Sequence, residues 1–169
     1  KVGTITNSAG SGNITIGSGV TLLSNVPAFE ATITTEQNPS GGTDTLINFD
    51  NEVFDTDGAY DTTNKRFTVP SGKAGKYHFY CDACIGSSAN SGLAQCQTYI
   101  YKNGVKTNTR TLFNSNNDGN GRYMQLTLLT TMDLAVGDYI EIYGRADLDS
   151  GTVEVRTAES RFGAYRIGA

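Results

Sequence analysis

The sequence lacks the features that mark several large classes of protein. Its 169 residues include no tryptophan and one histidine, His78, and acidic residues outnumber basic ones by only 17 to 13. No basic cluster is longer than the pair Lys65-Arg66, so we expect no nucleic-acid partner. No apolar run approaches the length of a membrane span, so we expect no membrane insertion.

The sequence contains three cysteines, which is an odd number. Cys81, Cys84 and Cys96 cannot all be paired within one chain. Cys81 and Cys84 have the spacing of zinc ligands, but no second pair of Cys or His completes the site. Unpaired cysteine packs as a small apolar group. We therefore predict three buried free thiols and a chain that folds in a reducing compartment.

The sequence also shows no catalytic centre. A Ser-His-Asp hydrolase would have to use His78, whose strand neighbours are aromatic. Paired carboxylates for glycan cleavage are left open by spacing alone, although the glutamates are scattered. We predict a protein that is not an enzyme and has no cofactor, with a glycan depolymerase as the enzymatic alternative.

Short alternating segments separated by turn residues make up most of the chain. Residues 76–81 place Tyr77, Phe79 and Cys81 on one face and His78 and Tyr80 on the other, which is the period of a strand with one packed face. Further strands are predicted at 29–34, 45–49, 66–69, 77–85, 95–102, 107–113, 122–132, 139–145 and 162–167. No helical periodicity is sustained, so the pattern predicts an all-β sandwich or jelly roll.

The strand at 122–132 predicts both a core face and a second, outer face. The inward set is Met124, Leu126, Leu128 and Met132, and the outward set is Tyr123, Gln125, Thr127 and Leu129. In residues 139–143 the two isoleucines should likewise point inward, and Tyr139, Glu141 and Tyr143 outward. Because the chain has nine tyrosines and an outward Leu129, we predict a subunit interface that includes Tyr123, Gln125 and Leu129.

The order of short motifs resembles the C1q/TNF-like jelly roll over residues 27–169. The motifs are AFEA at 28–31, Asn51 with Gly58, Tyr60, Asp61 and Phe67, Pro70 with GKYHF at 75–79, YIYKNG at 99–104, LTLLTTMDLAVGDYIEIY at 126–143 and FGAY at 162–165. Each motif is short, but all of them occur in the order of that family. The closing motif departs from the family at Ala164, where glycine is usual.

The resemblance implies ten strands in two sheets and a compact homotrimer. The animal members carry collagen repeats before this domain, whereas residues 1–26 here alternate Val, Ile and Leu with Thr, Ser and Gly. We predict that residues 1–26 form a stem of short β segments ordered by neighbouring chains, with a flexible linker as the alternative. Since the chain begins with Lys1, we expect it to be a piece of a longer protein.

Strand alternation assigns the predicted loops to two ends of the sandwich. Loops 36–44, 86–94, 115–121 and 147–160 fall at the end far from the stem, and tight turns at 103–104 and 135–138 fall at the stem end. The far loops are long and polar, as binding loops often are. The residues predicted to bind a ligand there are Asn90, Asn116, Asn117, Asn120, Arg122 and Tyr123.

Two acidic segments are weaker metal candidates. Residues 55–61 contain an Asp-Gly turn but lack the distal glutamate of a calcium-binding EF-hand loop. Asp147 and Asp149 follow the strand at which some C1q-like trimers gather calcium, so the resemblance implies a candidate calcium site at these two residues.

These features predict a structural or adhesive virion protein of a phage: a trimeric fibre tip, a capsid-decorating protein or a host-recognition module. Its expected partners are two further copies of itself and a host-surface glycan or protein, or neighbouring virion subunits. Its expected location is the virion or the extracellular space. The stem without collagen and the free thiols favour this function. The alternative is a secreted or cell-surface C1q-like binding module of a bacterium.

Overall fold

The structure is a computed structural model that describes residues 26–115 and 121–168. The described residues form β1 (Ala28–Thr32), β2 (Thr45–Leu46), β3 (Asn51–Asp55), β4 (Tyr60–Asp61), β5 (Arg66–Thr68), β6 (Gly75–Ser87), β7 (Leu93–Lys102), β8 (Val105–Asn114), β9 (Tyr123–Leu134), β10 (Tyr139–Leu148), β11 (Val153–Val155) and β12 (Arg161–Gly168). No helix in this part of the chain has the length and hydrophobicity needed to cross a membrane. The predicted stem lies outside the described residues, apart from Val26.

The strands form two antiparallel sheets. In sheet A the order is β3-β1-β12-β6-β9, and β11 continues the position of β12 alongside β6. In sheet B the order is β4-β5-β10-β7-β8, and β2 continues the position of β5 alongside β10. The twelve described strands therefore fill ten positions, five in each sheet. This is the predicted jelly-roll sandwich, with two of its strand positions interrupted.

A cluster of aromatic rings joins the two sheets. Phe29 of β1 stacks on Tyr60 of β4 and Phe67 of β5, with ring centroids 4.7 and 5.1 Å apart. The same ring meets Phe162 of β12 edge-on at 5.0 Å. All four side chains are buried. Each such pair contributes about 0.5–1.5 kcal/mol beyond the apolar area that it buries, so the cluster fixes sheet A against sheet B.

The alternation predicted for β6 and β9 is confirmed. Tyr77, Phe79 and Cys81 face the core and are at most 1 % exposed. In β9, Leu126 and Leu128 are buried, and Met124 and Met132 pack partly buried against the core. The odd-numbered side chains of β9 lie on the opposite face of sheet A.

Glu141 departs from the prediction in one respect. It lies on the outer face of sheet B, as predicted, but only 9 % of the residue is exposed. Its cross-strand neighbours on that face are Arg66 of β5 and Tyr101 of β7. Burial raises the pKa of the Glu141 carboxyl group, and the nearby Arg66 opposes that change. Long side chains on adjacent strands cover Glu141, which alternation along one strand does not reveal.

The three cysteines are free and buried, as predicted. Burial raises the pKa of each thiol, and it raises the pKa of Cys96 to about 12. Since the thiolate is the reactive form, these thiols are inert packing groups in the folded chain.

The beginning of β1 and the end of β12 lie at the same end of the sandwich, which we call the entry end. The Arg166 amide donates to the Pro27 carbonyl at 2.9 Å. The turns at 103–104 and 135–138 also lie here and are joined through Asp138. Its carboxylate accepts hydrogen bonds from Lys102 Nζ at 2.7 Å, Asn103 Nδ2 at 2.8 Å and the Ala135 amide at 2.9 Å. The bonds from Lys102, Asn103 and Ala135 lower the pKa of Asp138 to about 2.

We expect Asp138→Asn to lower the free energy of unfolding at pH 7 by about 1–2 kcal/mol, because it removes charge-assisted hydrogen bonds. The folded-state pKa lies below the unfolded value of about 3.9. The stabilisation by Asp138 is therefore present above that value and is lost as the pH falls toward the folded-state pKa. Urea denaturation should separate the variant from the wild type at neutral pH and bring the two together near pH 2.

Asp133→Asn is the matched control for this change. The Asp133 side chain is 74 % exposed and its pair with Lys76 is 4.0 Å long. Exposed pairs of this kind contribute about 0–1 kcal/mol, so the control should unfold nearly as the wild type does. Equal stability of Asp138→Asn and wild type at pH 7 would contradict the role of Asp138 in joining the turns.

Candidate binding surfaces

The loops predicted to lie far from the stem meet at the end of the sandwich opposite Val26, which we call the loop end. Backbone hydrogen bonds of 2.8–3.0 Å connect them. The amides of Gly42, Ser88, Leu93, Ser115 and Asp149 donate to the carbonyls of Ala146, Thr152, Gly121, Ala94 and Gly92, respectively. The described parts of these loops therefore form one connected framework.

Three of the six predicted binding residues, Asn116, Asn117 and Asn120, lie outside the described residues. Asn90 is exposed in the turn after β6. Arg122 is exposed just before β9, and its guanidinium lies 4.9 Å from the centre of the Tyr123 ring. The structure thus brings Arg122 and Tyr123 together, and their contact with a ligand stays a prediction.

Tyr123 is half-buried and fixed by contacts within its own chain. Its hydroxyl donates to Glu154 Oε2 at 2.5 Å and accepts from Arg156 Nη1 at 3.1 Å. The Arg156 guanidinium also lies 4.7 Å from the ring centre. Gly86 lies beneath the ring, where an added Cβ would be 2.1 Å from Tyr123 Cδ1. Sequence reasoning missed Glu154 and Arg156, because no motif links them to a residue about thirty positions earlier.

The outer face of sheet A is an array of side chains in rows. One row crosses all five strand positions and contains Phe54, Glu30, Gly163, Tyr80 and Leu129. Leu129 is 61 % exposed and Phe54 is 44 % exposed. This face therefore exposes apolar groups at both edges of the sheet. Leu129 is among the predicted interface residues, whereas Phe54 was not.

Tyr80 lies at the centre of this row. Its hydroxyl donates to Glu30 Oε2 at 2.8 Å. An added Cβ at Gly163 would be 2.3 Å from the Tyr80 hydroxyl and ring, so the ring lies directly over Gly163. Burial and the hydrogen bond to Glu30 raise the pKa of Tyr80. The Tyr80 ring thus lies flat at the centre of the face, and its hydroxyl is uncharged.

A neighbouring row contains Tyr165, His78 and Thr131. The Tyr165 side chain is 45 % exposed, and its ring centroid lies 5.4 Å from that of His78. Sequence analysis did not assign Tyr165 to the interface. The signal was present, because Tyr165 has the opposite position in the strand alternation to the buried Phe162 and Ala164.

Gln125 is also on the outer face of sheet A, nearer the loop end. It is exposed, and its Nε2 donates to the Glu159 carbonyl at 2.7 Å. The structure thus places Tyr123, Gln125 and Leu129 on one face, as predicted. Their contact with a neighbouring subunit stays a prediction.

The outer face of sheet B carries four of the nine tyrosines: Tyr99, Tyr101, Tyr139 and Tyr143. Tyr101 and Tyr143 stack at 3.9 Å. Cations cover the other two rings: Lys106 lies 3.4 Å from the centre of Tyr99 and Arg66 lies 4.5 Å from that of Tyr139. The polar and aromatic groups of this face are therefore engaged with one another.

Asp44 strengthens that arrangement on the outer face of sheet B. Its Oδ2 accepts hydrogen bonds from Lys106 Nζ at 2.7 Å and from the Tyr101 hydroxyl at 2.9 Å. Burial alone would raise the pKa of Asp44, but the bonds from Lys106 and Tyr101 outweigh it and lower the pKa. The structure places Tyr80, Tyr123 and Tyr165 on the outer face of sheet A, and the expectation that tyrosines belong to a subunit interface stays a prediction.

The side chains considered for catalysis and for metal binding contact other side chains of the protein. His78 Nδ1 lies 3.2 Å from Thr131 Oγ1, and no carboxylate of the described residues forms an ion pair with it. Asp147 Oδ1 lies 3.1 Å from Arg145 Nη2. Within residues 26–115 and 121–168, no three His, Cys, Asp or Glu side chains are grouped to hold a metal ion. Calcium at Asp147 and Asp149 stays a prediction.

Two five-position sheets in this order define a C1q/TNF-like jelly roll. The globular domain of the zebrafish complement 1qA protein matches with a TM-score of 0.58 and 12 % identity, over 84 % of this chain and 98 % of that one. Murine APRIL matches with a TM-score of 0.60 and 12 % identity, over 84 % of this chain and 99 % of that one. No family model and no curated protein matches the sequence. At such low identity the likeness shows the fold alone, and that fold is the predicted one.

We expect Gly86→Ala to displace Tyr123 and to lower the free energy of unfolding by about 1–3 kcal/mol, as overpacking does. The new Cβ would lie 2.1 Å from Tyr123 Cδ1 and 2.3 Å from the Arg122 carbonyl oxygen. Thermal unfolding measures the loss, and Gly121→Ala is the control, since an added Cβ there meets nothing within 4 Å. If both variants unfolded as the wild type does, Tyr123 would not be fixed by Gly86.

Proposed function

We propose that this chain is the binding domain of a homotrimeric structural or adhesive virion protein of a phage, and that it has no enzymatic activity. The observation that carries the proposal is the outer face of sheet A, whose central row exposes Leu129 at one edge and Phe54 at the other. Association removes exposed apolar side chains of this kind from water. The resemblance to C1q/TNF-like domains implies that the partner is the same chain, in three copies.

The contrast between the two outer faces supports the choice of sheet A. On sheet B the aromatic rings are stacked or covered by cations and Tyr99 is only 4 % exposed, although Leu112 on the edge strand β8 is 45 % exposed. On sheet A, Tyr165 and Leu129 remain 45 % and 61 % exposed. A threefold assembly buries two different patches at each contact, so sheet A supplies one patch and a second surface of the neighbouring copy supplies the other.

The loop end is the proposed site of recognition. The chain enters the domain at Val26, and the four long loops lie at the opposite end. In a trimer of parallel copies, three loop ends therefore project in one direction, away from the preceding residues. The proposed partner is a host-surface glycan or protein, or a neighbouring virion subunit. Recognition sites on loops held by a rigid scaffold are common among binding proteins.

The virion assignment is supported by the buried free thiols, because a chain that folds in a cytosol before release keeps its cysteines reduced. A bacterial cell-surface module is the alternative. Antibodies raised against the domain provide the test, by immunogold labelling of purified phage particles and of intact bacteria. Labelled particles support the proposal, and labelled cells without labelled particles support the alternative.

We expect the wild-type domain to be a trimer and Leu129→Arg to be a monomer, because the variant replaces the exposed apolar side chain at the β9 edge of sheet A by a charged one. Light scattering coupled to size exclusion, at micromolar concentration, measures the mass of each. Leu112→Arg is the matched control, since Leu112 is 45 % exposed on the outer face of sheet B. A wild-type monomer, or a Leu129→Arg trimer, would refute assembly through sheet A.

Replacement of residues 115–121 by a short Gly-Ser linker is expected to abolish binding while the trimer and its melting temperature change little. Loops of this kind lose little stability when altered, because loop-closure free energy changes slowly with length. Flow cytometry with the labelled trimer on a panel of bacterial cells measures binding. The control replaces Ala135 and Val136, in the entry-end turn, by Gly and Ser.

The same measurement extends to the other loops. Replacement of 36–44, 86–94 and 147–160 one at a time should identify those that contact the partner, provided that light scattering shows a trimer for each variant. Full binding after every replacement would move the recognition surface to the sides of the trimer or to the preceding residues.

A further inference from the structure

The loop end contains a cleft between residues 38–42 and residues 147–153. Its volume is about 670 Å³, which lies within the range of about 300–1,000 Å³ found for small-ligand sites. The two walls belong to different loops, more than a hundred positions apart in the sequence. Of the residues singled out from the sequence for binding, Asp147, from the candidate calcium site, lines it, and none of the six predicted loop-end binding residues does.

Both walls of the cleft are tied to the sandwich. The Gly42 amide donates to the Ala146 carbonyl at 2.8 Å. Gln37 and Val155 exchange two backbone hydrogen bonds, of 3.2 and 2.8 Å, at the base of the walls. The cleft is therefore formed before any ligand arrives, which keeps the ordering cost of binding low.

Two glycines keep one wall free of side chains. Gly42 has a φ of +71°, and an added Cβ there would lie 3.5 Å from Asp147 Oδ1. At Gly41 an added Cβ would lie 3.6 Å from the Ala146 carbonyl oxygen and 3.8 Å from Val153 Cγ2, which are ordinary contact distances. A side chain at position 41 would thus fit the fold and occupy the cleft.

The polar residues that line the cleft are Asn38, Ser40, Thr152 and Asp147, and the Thr152 hydroxyl also donates to Ser88 Oγ at 3.1 Å. Arg145, which does not line the cleft, places its Nη2 3.1 Å from Asp147 Oδ1. Pro39 and Leu148 add apolar surface beside these groups. The cleft therefore offers hydrogen bonds of both kinds around a small apolar patch.

This lining disfavours most classes of ligand. Among the described residues, Asp147 is the only ionisable side chain lining the cleft, so calcium would find too few carboxylates there. An anionic ligand would meet this carboxylate and no cation among these lining residues. Nor do they include an aromatic ring on which a nucleobase could stack. The remaining class is a neutral ligand with several hydroxyl groups and a C–H face.

We propose that this cleft binds one neutral monosaccharide unit of a surface glycan, with Asp147 as the main acceptor of its hydroxyl hydrogen bonds. Asn38, Ser40 and Thr152 complete the hydrogen bonds, and Pro39 and Leu148 contact the sugar carbons. The inference rests on the proposed function, because it names the ligand class of the loop end.

The test is a nuclear magnetic resonance titration of the intact, isotope-labelled protein with five neutral sugars. The probes are the methyl glycosides of glucose, galactose, mannose, N-acetylglucosamine and N-acetylgalactosamine, each up to about 100 mM, since an isolated sugar unit is expected to bind with a Kd near 1 mM. At least one probe should shift the amides of residues 38–42 and 147–153. Glucuronate, the acidic probe, should bind more weakly, because Asp147 repels its carboxylate.

Two variants and two controls sharpen the result. Asp147→Asn should weaken binding by about tenfold or more, since it removes a charged acceptor. Gly41→Val should abolish binding by filling the cleft. The controls are Asp133→Asn and Gly168→Val at the entry end, where the carboxylate is 74 % exposed and an added Cβ meets nothing within 4 Å. Both controls should bind as the wild type does, and light scattering should show every variant with the wild-type mass.

Three results would overturn the proposal: no shift in either wall with any neutral probe, tighter binding of glucuronate, or loss of binding on addition of EDTA. The cell-binding assay separates this failure from failure of the proposed function. If Gly41→Val bound cells as the wild type does while loop replacement abolished binding, the loop end would keep its role and the cleft would lose it. If no variant changed cell binding, both would fail.

Discussion

The packing of Phe29 is the contact on which the rest of the structure depends. Its ring stacks on Tyr60 and Phe67 from sheet B and meets Phe162 from its own sheet, so one side chain sets the distance and angle between the layers. The two sheets carry the loops at their ends, so packing that fixes one sheet against the other also fixes the framework of those loops. Five of the seven phenylalanines are buried in this core. In a chain without tryptophan, phenylalanine and tyrosine rings therefore form the aromatic contacts of the core.

The order of the two sheets then decides which surface remains open. β6 and β12 lie side by side within sheet A. On the outer face of their central part the Tyr80 ring covers the backbone of Gly163, so this area is flat. In sheet B, by contrast, the rings and charges of the outer face bond to one another. Surface polar groups with partners in their own chain gain little from a second molecule, whereas exposed apolar area is removed from water by association. The proposal of association through sheet A rests on this difference between the two faces.

Much of this fold could be predicted from the sequence, because strand alternation depends only on residues close together in the chain. The inward sets of β6 and β9 follow from spacing over a few residues, and the turn at 103–104 follows from its Asn-Gly pair. Glu141 shows the limit of such local reasoning, because its burial comes from side chains on β5 and β7. The cleft could not be predicted in this way either, because its walls at Ser40 and Asp147 meet only after the sheets have formed. Residues 116–120, which carry three of the predicted asparagines, lie outside the described part of the chain.

The position of β1 has a mechanical consequence. This strand follows directly on the entry of the chain at Val26 and is hydrogen-bonded on both sides, to β12 and to β3. A pulling force applied between the preceding residues and the loop end runs along the strand axes. Such a force must shear the hydrogen bonds of β1 together, whereas a force across the sheet would open them one at a time. The domain is thus built to carry tension along its long axis, and its weakest direction is sideways, at the exposed edge formed by β3.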